Sequence, residues 1–263
     1  TPPELRGAAY GLRQALDVVG AFTGPLLAIG LMWLTAGHFQ AVFWIAVIPA
    51  FLAAAVLLVF VHEPKQPTAA QPCAPLSRAA LARLDAGYWW VVGVGVVFTL
   101  ARFSEAFLIL RAGEAGLSPI SAPLVLVLMG IAFSLSAYPA GALSDRVSRV
   151  IVLVVGIGVL IAADLVLAFV PGLAGLAVGV VLWGLHMGCT QGVFAALVAE
   201  RAPAELRGTA FGVFHLLTGL ALLLASVIAG ALWDAWGYRG TFLCGAVFAS
   251  LTLLGMTTLR QRS

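Results

Sequence analysis

Eight runs of apolar residues, each long enough to cross a bilayer as a helix, dominate this chain of 263 residues. A hydrocarbon core of about 30 Å takes roughly 17 to 25 helical residues. The runs are approximately Ala8 to Trp33, Phe39 to Val61, Tyr88 to Leu110, Ile120 to Leu143, Val150 to Val170, Leu173 to Val198, Gly208 to Trp233 and Gly240 to Leu259. Lipid satisfies no backbone N–H or C=O, so only helices and closed barrels span it. These runs are continuously apolar and do not alternate at every second residue, which selects helices. The sequence therefore predicts an all-α membrane protein with eight transmembrane helices. Its 62% hydrophobic and 10% charged residues stand far from the usual soluble mix of about 45–50% and 25%.

Successive helical crossings put alternate loops on opposite sides. One side then holds Arg6, Lys65, Arg78, Arg83, Arg146, Arg149, Arg201, Arg207, Arg260 and Arg262, and the other Arg111 and Arg239. Such a bias in short loops places the first set, and both ends of this chain, in the cytoplasm, with the protein in the inner membrane. The net charge of +3 then reflects topology and not nucleic-acid binding. Cys73, Cys189 and Cys244 are odd in number and widely spaced, so no disulfide framework is expected. Residue 1 is Thr, which suggests sequence upstream.

The longest interruption, residues 62–87, is rich in Pro and Ala and reads as a cytoplasmic linker. Two helices (1–61) precede it and six (88–263) follow. Across that split the chain repeats itself: "ELRGAAYG", Glu4 to Gly11, returns as "ELRGTAFG", Glu205 to Gly212. Each copy opens the second-last helix of its unit. Two parallel six-helix halves would account for this, with four helices of the first half absent here.

Between the fourth and fifth runs stands "GALSDRVSR", Gly141 to Arg149. It resembles the G-x-L-x-D-R-x-G-R loop of the major facilitator superfamily, with Ser148 in place of the usual Gly. In that family the loop joins the second and third helices of a half, as it does in residues 88–263. The resemblance implies helices five to twelve of a twelve-helix transporter: two helices of the N-terminal bundle and a six-helix C-terminal bundle. Gly141, Asp145, Arg146 and Arg149 are then the gating loop, with Gly141 allowing close helix approach. Arg146 and Arg149 are expected to bond carbonyls exposed at the helix ends. A topology signal alone is the simpler reading of Arg149.

Where the two copies agree, the fold is expected to require it. Gly7 and Gly11, like Gly208 and Gly212, are four residues apart and suit close helix packing. Where they differ, Gly20, Gly24 and Pro25 replace Ala221, Ala225 and Ser226. This Gly-x-x-x-Gly-Pro helix resembles the antiporter motif of the family's drug:proton exchangers, with Ala28 and Ile29 departing from its usual end. An ordinary packing kink is the alternative.

Ionisable side chains inside a membrane are costly and need reasons. Arg13 and Asp17 are one turn apart, as are Arg102 and Glu105 in "LARFSEAF", and each pair can form an ion pair. Arg13 and Asp17 are candidates for gating or substrate contact, with a structural pair as the alternative, and Arg102 for proton coupling with Glu105. Glu105 is the first candidate for proton coupling, since a changing distance to Arg102 would load and release a proton. A static pair is the alternative. Asp164 is expected near the periplasmic end, hydrated or bonded to a neighbouring helix. His186, Gln191 and His215 are candidates for solute or proton contact. Gly184, Gly188 and Gly192 form a stripe that faces a neighbour, with His186 on another face.

The sequence holds no H-E-x-x-H, G-x-S-x-G, P-loop or paired Cys ligands, so no enzyme is expected. The expectation is a secondary transporter that exports a small organic solute against protons, a monomer when complete, with no cofactor beyond the proton gradient. Uptake by symport or uniport, and a non-transporting membrane sensor or assembly module, are the alternatives. As a fragment, the chain alone is expected not to transport. Its partners would be the solute and the lipid bilayer.

Overall fold

The computed structural model describes residues 5–35, 38–60, 78–118, 121–122 and 124–260. Glu4, most of the linker with Lys65 and Cys73, and Arg262 lie outside them, as does the side chain of Pro25. No strand occurs among the described residues. The helices are α1 (Arg6–Leu34), α2 (Phe39–Phe60), α3 (Arg78–Ala82), α4 (Ala86–Ala101), α5 (Ala106–Glu114), α6 (Leu124–Arg146), α7 (Arg149–Phe169), α8 (Gly172–Arg201) and α9 (Arg207–Arg260). Two compact units are present, residues 20–73 and residues 1–19 with 74–263.

In the smaller unit, α2 is apolar on every face and exposes Phe43, Trp44, Phe51, Leu58 and Phe60. A helix that is hydrophobic all round belongs in a core or in lipid. Gly20 and Gly24 of α1 have nothing within 4 Å of a Cβ position among the described residues.

The larger unit is a helix bundle. Helices α6 and α7 pack on α8, while α4 and α7 pack on α9. The glycine stripe of α8 makes the first of these contacts possible. A Cβ on Gly184 would meet Met129 and Ala132 of α6, and one on Gly188 would strike Ser136, so the two backbones touch through glycine. Asp85 caps α4 by accepting from the Tyr88 N–H at 2.7 Å, and the Tyr88 hydroxyl donates to the Ala210 carbonyl of α9 at 2.9 Å.

Three features differ from the sequence expectations. Residues 88–110 do not form one helix: α4 ends at Ala101, and α5 begins at Ala106 after a non-helical stretch. The last two runs are two helices, as expected, which meet within the α9 range at Gly237 (φ 69°, ψ −170°), a conformation open only to glycine. Among the described residues, six helical stretches are long and apolar enough to cross a membrane: Gln40–Phe60, Ala86–Glu114, Leu124–Arg146, Arg149–Phe169, Gly172–Arg201 and Ala204–Met256.

Arg111, expected in an outer loop, is buried inside the bundle at 1% exposure. Its guanidinium donates to the Leu167 and Val170 carbonyls (3.1 and 3.2 Å) and lies 4.2 Å from the centre of the Tyr238 ring. Carbonyls in the last turn of a helix lack intrahelical partners, and here a cation from another helix supplies one. Asp164 is neither interfacial nor bonded across helices. It is fully buried, its carboxyl group finds no hydrogen-bond partner among the described residues, and Gly245 of α9 lies against it.

Candidate functional site

The interruption between α4 and α5 builds the site. No Pro or Gly stands at residues 102–105, so the break has to come from tertiary contacts. Phe103 turns into an aromatic cluster, with ring centres 5.2 Å from Trp183, 5.3 Å from Phe107 and 5.4 Å from Phe242. The Ser104 N–H donates to Ser226 Oγ of α9 at 3.2 Å. With Phe103 anchored in the core, Arg102 adopts a non-helical conformation (φ −115°, ψ 89°) and turns its side chain the other way.

That side chain is four-fifths covered and borders a cavity of about 380 Å³. Three helices present one face each to the cavity at helical spacing: Gly95, Phe98, Thr99 and Arg102 from α4; Thr190, Gln191, Phe194 and Ala195 from α8; Phe211, Phe214, His215, Thr218 and Leu222 from α9. Arg13 and Gln14 of α1 close one edge. Gln191, with its carboxamide oxygen turned toward Arg102, accepts from both terminal guanidinium nitrogens at 3.1 and 3.3 Å. Glu105 pairs with Arg102 at 3.8 Å.

Of the residues singled out in the sequence, Arg13, Arg102, Gln191 and His215 share this cavity. Glu105 and Asp17 stand just behind their arginines and do not line it. The Arg13–Asp17 pair, 3.5 Å apart, is mostly solvent-exposed. His186 is sealed among Trp183 and Phe98, and neither ring nitrogen meets a partner at hydrogen-bonding geometry among the described residues. The sequence reading passed over Gln14, Thr99 and the four phenylalanines. The i, i+3, i+4, i+7 pattern Gly95–Phe98–Thr99–Arg102 was the signal available for two of these six, Phe98 and Thr99.

A second locus lies at one end of the bundle, where α6 turns into α7. Asp145 accepts from the backbone N–H groups of Gly7 and Ala8, both at 2.8 Å, and so caps the start of α1. Such N–H groups have no partner within their own helix and favour a negative charge. Arg149 bridges Asp145 (3.4 Å) and Glu200. It thus bonds carboxylates and not the carbonyls expected from the sequence, because the carboxylates hold the complementary charge. Arg146 is exposed. Gly141 meets Gly7 and Gly11 backbone to backbone, and a Cβ there would collide with the Gly7 carbonyl.

The sequence pattern of the Major Facilitator Superfamily matches residues 1–221, and a second time residues 91–262. The chain belongs to this superfamily. A superfamily relative, an uncharacterized MFS-type transporter of Methanocaldococcus jannaschii, is 30% identical over 256 residues, or 95% of this chain and 63% of that protein. The chain therefore spans a little under two-thirds of that relative's length. A multidrug efflux pump, Tap, of Mycobacterium bovis is 33% identical over 122 residues, covering 45% of this chain and 29% of the pump. In fold, the crystal structure of the superfamily transporter FucP in an outward conformation matches with a TM-score of 0.72 at 18% identity, over 97% of this chain and 68% of that one. Superfamily and fold are those of membrane-embedded transporters of small molecules, not of enzymes.

Proposed function

We propose that the protein is a proton-coupled secondary transporter of a small organic solute, with the cavity at the α4–α5 break as the solute site and Glu105 as the proton carrier. The observation that carries this reading is the shared position of Arg102. Its guanidinium faces the cavity beside Gln191, and Glu105 pairs with it from behind at 3.8 Å. A proton on Glu105 removes the charge that holds Arg102 from that side, so proton loading changes what Arg102 offers the solute. Because the pair sits at a break in a helix, the change in distance costs no intact helical turn.

Export is the direction favoured by the resemblance of Gly20, Gly24 and Pro25 to an antiporter motif and by the partial likeness to an efflux pump. Uptake with the proton is the second reading. It is favoured by the place of Glu105 behind Arg102 and outside the cavity wall, which lets a proton and a solute load together. The excess of Arg and Lys on the side of the α6–α7 turn supports a cytoplasmic position for that face in the inner membrane. The fully assembled protein is read as a monomer, with residues 1–61 and 88–263 in separate bundles joined by 62–87. Solute flux in proteoliposomes of the full-length protein under an imposed pH gradient tests the reading. Flux should follow the gradient in the wild type and become indifferent to it in Glu105→Gln. A gradient-driven flux that survives this substitution would remove Glu105 from the mechanism, and the direction of flux decides between export and uptake.

A further inference from the structure

The charges around the cavity are unevenly distributed. Arg13 and Arg102 both line it, while Asp17 and Glu105, the carboxylates paired with them, do not. No carboxylate lies among the lining residues, so the wall presents cations, neutral donors and apolar rings. Arg102 is also pre-positioned. Gln191 takes one N–H from each of its terminal nitrogens, and Glu105 at 3.8 Å is an ion-pair partner beyond hydrogen-bonding range. A guanidinium carries five N–H donors in a planar fork, so most of them stay available to a ligand. One turn before it, Phe98 is stacked with Phe194 of α8, ring centres 5.6 Å apart and planes inclined by 27°.

We propose that the solute is an organic monoanion: a carboxylate on a flat apolar body, with the carboxylate on Arg102 and the body against Phe98 and Phe194. The inference rests on the cavity being the solute site and adds the chemical class of what enters it. A charge-assisted pair between guanidinium and carboxylate, shielded by aromatic walls, is stronger than the same pair in water. A cationic solute would face two guanidiniums, with no carboxylate among the described residues of the wall. A neutral solute would leave the free N–H donors of Arg102 without an anion. The volume of about 380 Å³ lies at the small end of the range for ligand sites, which suits a one-ring acid better than a large amphiphile.

Three probes share one ring and differ in charge: benzoate, benzamide and benzylamine. Calorimetric titration of the purified, detergent-solubilised protein should rank benzoate first, about tenfold or more tighter than benzamide, with benzylamine weakest. Arg102→Lys keeps the charge but loses the fork, and should erase about tenfold of the benzoate affinity while leaving benzamide unchanged. Should that variant fail to fold, Arg13→Gln, at a mostly exposed side chain, is expected to weaken benzoate by about threefold. Arg83→Gln, in an exposed pair with Glu205, should leave the ranking intact. Equal or tighter binding of benzamide or benzylamine, still weakened by Phe98→Ala, overturns the anion assignment and keeps the cavity as the solute site. Benzoate binding indifferent to Arg102, Arg13 and Phe98 overturns both readings. Binding of none of the three at millimolar concentration overturns the one-ring carboxylate.

Discussion

The two copies of the repeated phrase have nearly the same residues and different surroundings. In the first copy, a Cβ on Gly7 would come within 2.5 Å of the Gly141 carbonyl oxygen and 2.7 Å of Asp145, and one on Gly11 would collide with the Ala137 carbonyl. In the second copy, Gly208 and Gly212 have nothing within 4 Å among the described residues. Among those residues, the close packing expected of both pairs is seen at the first. A small-residue motif only permits close approach, and what lies opposite decides whether the permission is used. The copies also meet each other. Tyr10 and Phe211, at equivalent places in the two phrases, touch with ring centres 6.2 Å apart. Arg13 and Gln14 of the first copy face the cavity, as do their equivalents Phe214 and His215 of the second. The cavity thus lies where the two repeats converge.

The largest expected contrast comes from filling the glycines. Gly11→Leu drives a side chain into the α6 backbone and should cost about 3 kcal/mol or more, read as a fall in thermal unfolding temperature in detergent. Gly212→Leu should stay within about 0.5 kcal/mol. Equal losses at both sites would mean that the second glycine pair also has a close neighbour. Next in size is the cap. Asp145→Asn weakens the hold on the Gly7 and Ala8 N–H groups and leaves Arg149 with Glu200 as its remaining carboxylate, which should cost about 1–2 kcal/mol. In the second copy, Glu205 and Arg83 are 3.9 Å apart and both well exposed, so Glu205→Gln should cost no more than about 0.5 kcal/mol. The Tyr10–Phe211 contact comes third. A double-mutant cycle to alanine should give a coupling of about 0.5–1.5 kcal/mol, and zero coupling would separate the copies.

Most of the fold was legible because lipid leaves a chain few options: an apolar run of membrane length has to be a helix. The α6–α7 turn was legible for a similar reason, since its Gly and its charges sit in one short motif. Two features were hidden because they depend on distant partners. The break at Arg102–Glu105 has no local breaker and comes from Phe103 packing against Trp183 and Phe242. Arg111 ended an apolar run and so read as a loop residue, yet α5 continues to Glu114, and carbonyls at the end of α7 accept its protons. In the site, Arg102, Gln191, Arg13 and His215 stood out as polar residues in apolar helices. The phenylalanines beside them did not, because aromatic residues in a membrane helix are unremarkable until a cavity is found next to them.

A small effect on stability should accompany a measurable effect on binding. Arg13 and Asp17 form an exposed pair 3.5 Å apart, of a kind worth about 0.2–1 kcal/mol, and the second copy carries Phe214 and Thr218 at these places. Converting the first copy to the second with Arg13→Phe and Asp17→Thr should therefore shift thermal stability by less than about 1 kcal/mol. The same double substitution removes one of the two cations from the cavity wall, and the lost carboxylate was never part of that wall. Benzoate affinity should fall by about threefold or more, with benzamide unchanged. If stability collapses instead, Arg13 and Asp17 hold the bundle together and the asymmetry between the copies is structural. If neither property moves, the cationic character of the site resides in Arg102 alone.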